Sequence, residues 1–294
     1  MRWRGRRKSS NIEDRRGQRT GGGMRLPVGG KGLGGGIGTI IIILVAMYFG
    51  VDPSMFLGGG SGAPLGQSSS SQQPYQASPE EQELADLVAV VLADTEVTWN
   101  QLFRQSGSQY REPKLVLFSG VVNSACGRAQ SAMGPFYCPA DQKVYIDLSF
   151  YDDLRRRFGA PGDFAQAYVV AHEVGHHIQN ILGISGQVHQ QQQRLGKAEA
   201  NRLSVKLELQ ADCLAGVWAN HADRARDLLE AGDVDEALRA ASAIGDDRLQ
   251  QQSSGRVVPE SFTHGTSEQR MRWFRTGLDS GSFERCDTFE ASRL

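Results

Sequence analysis

AHEVGHHIQN, residues 171–180, places three of the chain's six histidines and one glutamate within six consecutive positions. His172 and His176 are four residues apart, inside a run from Asp163 to Leu182 whose apolar residues recur at helical spacing. The stretch therefore predicts a helix with both imidazoles on one face, one turn apart. That spacing lets two imidazoles occupy two corners of one tetrahedral zinc ion (Zn2+), while Glu173, beside the first, reaches the attacking water as general base. His177 falls off this face and is expected to be packed or to support a ligand from behind. The competing reading is an amphipathic surface helix that happens to carry histidines.

A catalytic zinc takes three protein ligands and keeps one position for water. The extended motif H-E-x-x-H-x-x-G-x-x-H is excluded, because its later positions are Gln179 and Leu182 here. Downstream, LELQADCLAGVWA (207–219) carries Glu208 and Asp212, four residues apart on a second predicted helix. In the glutamate-zincins such a pair supplies the third ligand, then a carboxylate that fixes a ligating histidine by a hydrogen bond. Two solvated acids on a surface helix are the alternative. Leu207, Leu209, Ala211, Leu214, Ala215, Val217 and Trp218 make that helix apolar on most sides, which favours a buried pair. His189, in the polar run QVHQQQQ, is the weaker alternative ligand.

Around this centre the chain divides into four parts. The net charge of −1 over 294 residues conceals a split, since residues 1–36 hold ten Arg/Lys against Glu13 and Asp14. Residues 37–56, centred on IGTIIIILVAMYFG, are long enough to cross a bilayer, near the short limit. No small-residue cleavage site follows, so a retained signal-anchor is expected rather than a cleaved signal or a core helix. By the positive-inside rule, residues 1–36 are then a basic cytoplasmic segment and the rest lies outside, as a single-pass membrane protein. A nucleic-acid role for the basic arm is not expected. Residues 57–78, rich in Gly, Ser and Gln, read as a flexible tether. The domain of residues 79–294 opens with Ser78, Pro79, Glu80 and Glu81, a helix start. KLVLFSGVV (114–122) and KVYIDLSF (143–150) are strand-like, and helical patterns follow at 163–182, 198–221, 233–243 and 267–278. The fold expected is α+β, mostly helical with a small sheet, behind one N-terminal transmembrane helix.

The run ACGRAQSAMGPFYCPADQKVYIDLSF, with HEVGHHIQ, ELQADC and THGTSEQRMRWF, resembles the bacterial "putative neutral zinc metallopeptidase" family of membrane-anchored proteins. The resemblance spans nearly the whole chain. It implies a zincin-like fold and peptide-bond hydrolysis, with His172, Glu173 and His176 on the family's motif and Glu208 and Asp212 on its downstream helix.

All four cysteines follow the apolar run, where an oxidising exterior lets them pair. Cys126 and Cys138 bracket a short turn-rich segment, which favours Cys126–Cys138 and Cys213–Cys286 among the three connectivities. Free buried thiols are the alternative, above all for Cys213. A Cys-based zinc site is not expected, since no C-x-x-C occurs. For the reaction, Glu173 takes a proton from water and passes it to the leaving amine. His264, in FTHGTSEQR, is the candidate oxyanion donor, with Arg270 behind it. A peptide substrate is expected to pair with an edge strand from 131–148. Hydrolysis of a cell-wall amide, and a non-catalytic module kept folded by its metal, are the other readings.

Overall fold

Ser78 accepts a hydrogen bond from the Glu81 amide and Pro79 opens the first helix, so the expected helix start is where the long α1 (Pro79–Gln105) begins. The computed structural model describes residues 1–18 and 75–294. In chain order its strands are β1 (Ile12–Asp14), β2 (Lys114–Phe118), β3 (Val121–Ser124), β4 (Gly127–Gln130), β5 (Phe136–Cys138) and β6 (Lys143–Asp147). After α1 come α2 (Ser149–Arg156), α3 (Asp163–Ile181), α4 (Ile184–Gln192), α5 (Lys197–Arg226), α6 (Asp233–Ala243), α7 (Asp246–Ser254) and α8 (Ser267–Ser280). The class is α+β, mostly helical with a small sheet.

The main sheet has the order β1-β2-β6-β5, with β1, β2 and β6 parallel and β5 antiparallel at one edge. Leu115 pairs with Ile12 on one side and Val144 on the other. β2 and β6 are almost wholly buried, as parallel strands covered on both faces are. The run 114–122, expected as one strand, breaks at Gly120, whose φ of +76° turns the chain into a separate β3–β4 hairpin. Of the stretch 131–148, only β5 is an edge strand, since β6 is flanked on both sides.

α3 runs through the core, packed against α1, α5 and α6. Phe164 at its start stacks on Trp218 of α5, ring centroids 5.9 Å apart. At two helix crossings glycine permits the close approach. A Cβ on Gly175 would lie 3.0 Å from the Ala211 carbonyl oxygen, so the x-Gly of His-Glu-x-Gly-His lets α3 approach α5. A Cβ on Gly277 would collide with the backbone of Cys213 and Val217, so the same economy brings α8 against α5.

Residues 1–18 correct an expectation. They are not a segment apart from the domain but belong to the same unit as residues 75–294. β1 extends the sheet, Met1 and Trp3 are buried, and the Trp3 indole N–H donates to Asp163 at 3.1 Å. The basic residues of the arm are answered by acids of the domain: Arg2 with Asp227 at 2.6 Å, Lys8 with Asp86 at 2.6 Å, Arg7 with Glu96 at 3.0 Å, and Arg16 with Glu81 at 3.3 Å. Within the described residues 1–18, the positive charge seen in the sequence is thus met largely by complementary acids of the same unit. The apolar run 37–56 expected to be a membrane anchor lies outside the described residues, as do 19–36 and most of the tether. Among the described residues no helix is long and apolar enough to cross a membrane.

Both expected disulfides are present. Cys126–Cys138 ties the β3–β4 hairpin to β5, with Cα atoms 5.8 Å apart, and Cys213–Cys286 ties the C-terminal segment to α5, with Cα atoms 5.5 Å apart.

Candidate metal centre

His172, Glu173 and His176 stand in the middle of α3, and Glu208 and Asp212 face them from α5 across the Gly175 contact. His172 Nε2 is 3.2 Å from Glu208 Oε2, and His176 Nε2 is 3.4 Å from Glu208 Oε1. One atom from each of these three residues lies within 4.8 Å of the other two. The opposite ring nitrogens are engaged elsewhere: His172 Nδ1 with Asp212 at 2.8 Å, and His176 Nδ1 with Gln179 at 2.9 Å. With each Nδ1 held by a side-chain oxygen, both Nε2 atoms converge beside the Glu208 carboxylate; against the opposing effect of burial, Asp212 and Glu208 raise the His172 pKa to about 10 and Glu208 raises that of His176. Two imidazoles and one carboxylate, once a metal displaces the Nε2 protons, match the donor set of a catalytic zinc.

Asp212 is fully buried and anchored from behind. Arg270 of α8, 2 % exposed, donates to it through Nε at 2.8 Å and through a terminal nitrogen at 2.9 Å, and the Tyr168 hydroxyl also donates to it. Burial alone would raise the Asp212 pKa, but Arg270 and His172 bring it down to about 2. Arg270, expected behind His264 as a donor for the oxyanion, is instead occupied with Asp212. Burial likewise opposes ionisation of Glu208, yet the facing histidines hold its carboxyl well below the usual range. Glu173 has no such partner, and burial pushes its pKa up against the pull of His176 and His172. A carboxylate made more basic in this way is suited to accept a proton.

His264 is half exposed in the loop before α8. Its Nδ1 is 3.3 Å from Asp246, whose carboxylate also accepts the backbone N–H groups of Thr263, His264 and Gly265 at 2.7, 2.6 and 3.0 Å. This loop packs on α5 beside Glu208, since a Cβ on Gly265 would be 3.3 Å from Leu209. The hydrogen bond to Asp246 raises the His264 pKa, favouring the imidazolium.

Two histidines are placed otherwise. His189 is exposed on α4 beside Gln193 and stands outside the cluster. His177 is buried, donating through Nε2 to the Arg111 carbonyl at 2.6 Å, so its Nδ1 accepts from the Tyr137 hydroxyl at 3.0 Å. That contact fastens edge strand β5 to the helix that bears His172 and His176. Sequence reasoning missed Gln179, Tyr168 and Asp246. Gln179 had been met only as a failure of the extended motif, although a polar residue three positions after His176 on a helix faces that histidine.

A His-Glu-x-x-His helix crossing a Glu-x-x-x-Asp helix, with one atom each of His172, His176 and Glu208 converging, matches the pattern of the zinc metallopeptidase class of protein. Residues 1–289 match the family described as "Putative neutral zinc metallopeptidase", and the chain belongs to that family. It is 56% identical over 297 residues to "Uncharacterized protein YpfJ" of Escherichia coli (strain K12), covering 99% of this chain and 100% of that one. It is 46% identical over 195 residues to "Uncharacterized protein Rv2575" of Mycobacterium tuberculosis, covering 63% of this chain and 65% of that one. No solved structure matches it.

Proposed function

We propose that the chain is a zinc-dependent endopeptidase, with His172, His176 and Glu208 as metal ligands, Asp212 orienting His172, and Glu173 as general base. The observation that carries this reading is the convergence of the His172 and His176 Nε2 atoms on Glu208 while both Nδ1 atoms are held from behind. Zinc bound there would polarise the scissile carbonyl and acidify the attacking water. Glu173 takes the proton of that water and delivers it to the leaving amine. The His264 Nε2–H of the imidazolium that Asp246 favours stabilises the developing oxyanion. An extended peptide adds to the free edge of β5.

The two disulfides support placing the domain outside the cytoplasm. Because residues 1–18 belong to the same unit, the basic arm goes with the domain. Arm and domain in one unit are incompatible with residues 37–56 crossing a membrane once between them, so the single-pass topology with a cytoplasmic arm is not retained, and association of that apolar run with a membrane rests on the sequence alone.

The test is Glu173→Gln. The variant should bind zinc like the wild type and lose hydrolysis of an unstructured protein substrate. Equal cleavage by both proteins would refute the assigned base. Zinc binding by a wild type that cuts peptidoglycan amides, or cuts nothing, would move the reading to a cell-wall hydrolase or to a metal-stabilised module.

A further inference from the structure

The two histidines of the cluster are held from behind by different chemistry. His172 leans on a carboxylate that is itself paired with Arg270, whereas His176 leans on the neutral amide of Gln179. Gln179 is completely buried, and both protons of its amide nitrogen are directed: one to the Leu207 carbonyl at 2.7 Å, the other to Gln210 Oε1 at 3.1 Å. The nitrogen of Gln210 in turn donates to the Cys286 carbonyl at 3.1 Å. Each link dictates the next. The Cys286 carbonyl only accepts, so it calls for the Gln210 nitrogen, which leaves the Gln210 oxygen facing Gln179. The Gln179 nitrogen then meets two acceptors and its oxygen is left for His176 Nδ1, which must carry the proton. An inverted Gln179 would set oxygen against two oxygens in a buried site, which costs the desolvation of each unpaired group.

Cys286 is fixed by its disulfide to Cys213, five residues beyond Glu208 on α5. The segment after it stays on the same helix, with Thr288 Oγ1 donating to the Lys206 carbonyl at 2.7 Å and Lys206 Nζ to the Phe289 carbonyl at 2.9 Å. We propose that the relay from the Cys286 carbonyl through Gln210 and Gln179 orients His176 as a metal ligand, so that the disulfide-held C-terminal strap is part of the metal centre. Gln179 and Gln210 are positioning residues in this account. The inference rests on the zinc reading of the cluster and adds to it a determinant outside the ligands.

The experiment measures zinc affinity of the purified full chain by competition with a chromophoric chelator, together with the cobalt absorption band and the unfolding midpoint of the metal-free protein. Loss of a group that orients a metal ligand lowers metal affinity by about 10–100-fold. Gln179→Leu is expected in that range, and Gln210→Met, which leaves both histidines and Gln179 in place, should weaken zinc binding by roughly tenfold and shift the cobalt band. Gln179→Glu, protonated on the oxygen that meets the Leu207 carbonyl and Gln210 Oε1, keeps an acceptor for His176 Nδ1 and should bind zinc more tightly than Gln179→Leu. A merely structural role would lower the metal-free midpoint while leaving the affinity and the cobalt band of the folded protein unchanged, and that result overturns the relay. So does equal affinity in Gln179→Leu and Gln179→Glu, which decides the matter even if Gln210→Met fails to fold. His172→Ala serves as the control: if it retains wild-type affinity, the zinc reading itself falls, whereas its loss beside an unaffected Gln210→Met removes the relay alone.

Discussion

Arg270 holds Asp212 by two nitrogens, Nε to Oδ2 at 2.8 Å and a terminal nitrogen to Oδ1 at 2.9 Å, while the same Oδ1 receives the proton of His172 Nδ1. The arginine thus acts on the candidate ligand mainly through the carboxylate, its terminal nitrogen lying 3.4 Å from His172 Nδ1 itself. Removing one partner of a buried ion pair strands the other charge and typically costs about 3–5 kcal/mol. Arg270→Met should lower the unfolding free energy of the metal-free protein by that order and weaken zinc binding as well. A chemical denaturation curve indistinguishable from wild type would show that Asp212 does not depend on it.

The two acids of α5 should differ in rank. Glu208→Ala leaves two histidines and should lose most of the zinc, whereas Asp212→Ala keeps three ligands and should lose about 10–100-fold in affinity. Metal content of the purified variants at increasing zinc supply separates the two. Undiminished affinity in Glu208→Ala would move the third ligand elsewhere.

For His264 the expected signature is kinetic. Loss of one oxyanion donor costs about 100- to 1,000-fold in kcat, so His264→Ala should fall by that factor with KM little changed and zinc content intact. Asp246→Asn keeps an acceptor for part of the loop and should retain more activity than Asp246→Ala, which abandons three backbone N–H groups. Steady-state kinetics of the three variants, with zinc measured on each, gives the ranking.

The arm offers a stability test with a pH sign. Trp3→Ala empties a buried site and should destabilise by about 3–5 kcal/mol, read from the denaturation midpoint. Glu13 of β1 is bonded to Lys143 of β6 at 2.8 Å. Burial would raise its pKa, but Lys143 and Arg15 bring it down from 4.5 to about 2. A folded-state pKa below the unfolded one stabilises above the unfolded value and is lost as pH falls through the folded one. Attachment of β1 should therefore hold at pH 5 and weaken between about pH 4.5 and 2, visible as faster amide exchange at residues 12–14. In Glu13→Gln that part of the pH dependence should vanish.

What could be read in advance was chemistry that a single helix displays. His172 and His176, or Glu208 and Asp212, announce themselves because four residues bring two side chains onto one face. The Cys126–Cys138 bridge was legible for a similar reason, since it closes one short loop. What escaped depends on elements meeting across the fold. Arg270 reaches Asp212 only because Gly277 lets α8 lie against α5, and no local pattern marks that crossing. Gln179 carries a neutral amide, which has no motif of its own. Ile12–Asp14 is too short and too charged to read as a strand, and its pairing with β2 is set by residues a hundred positions away.

That late pairing governs how the chain can be shortened. With the first 18 residues removed, as in a chain starting at residue 79, β2 would present Leu115, Val116 and Leu117 along an open edge, with unpaired backbone groups and no charged residue among the three to discourage a neighbour. A second copy offers the same edge. Such a trimmed protein should therefore self-associate or precipitate, and the soluble minimal unit is one in which the first strand is supplied, either in its natural place or as a separate peptide added back to fill the edge.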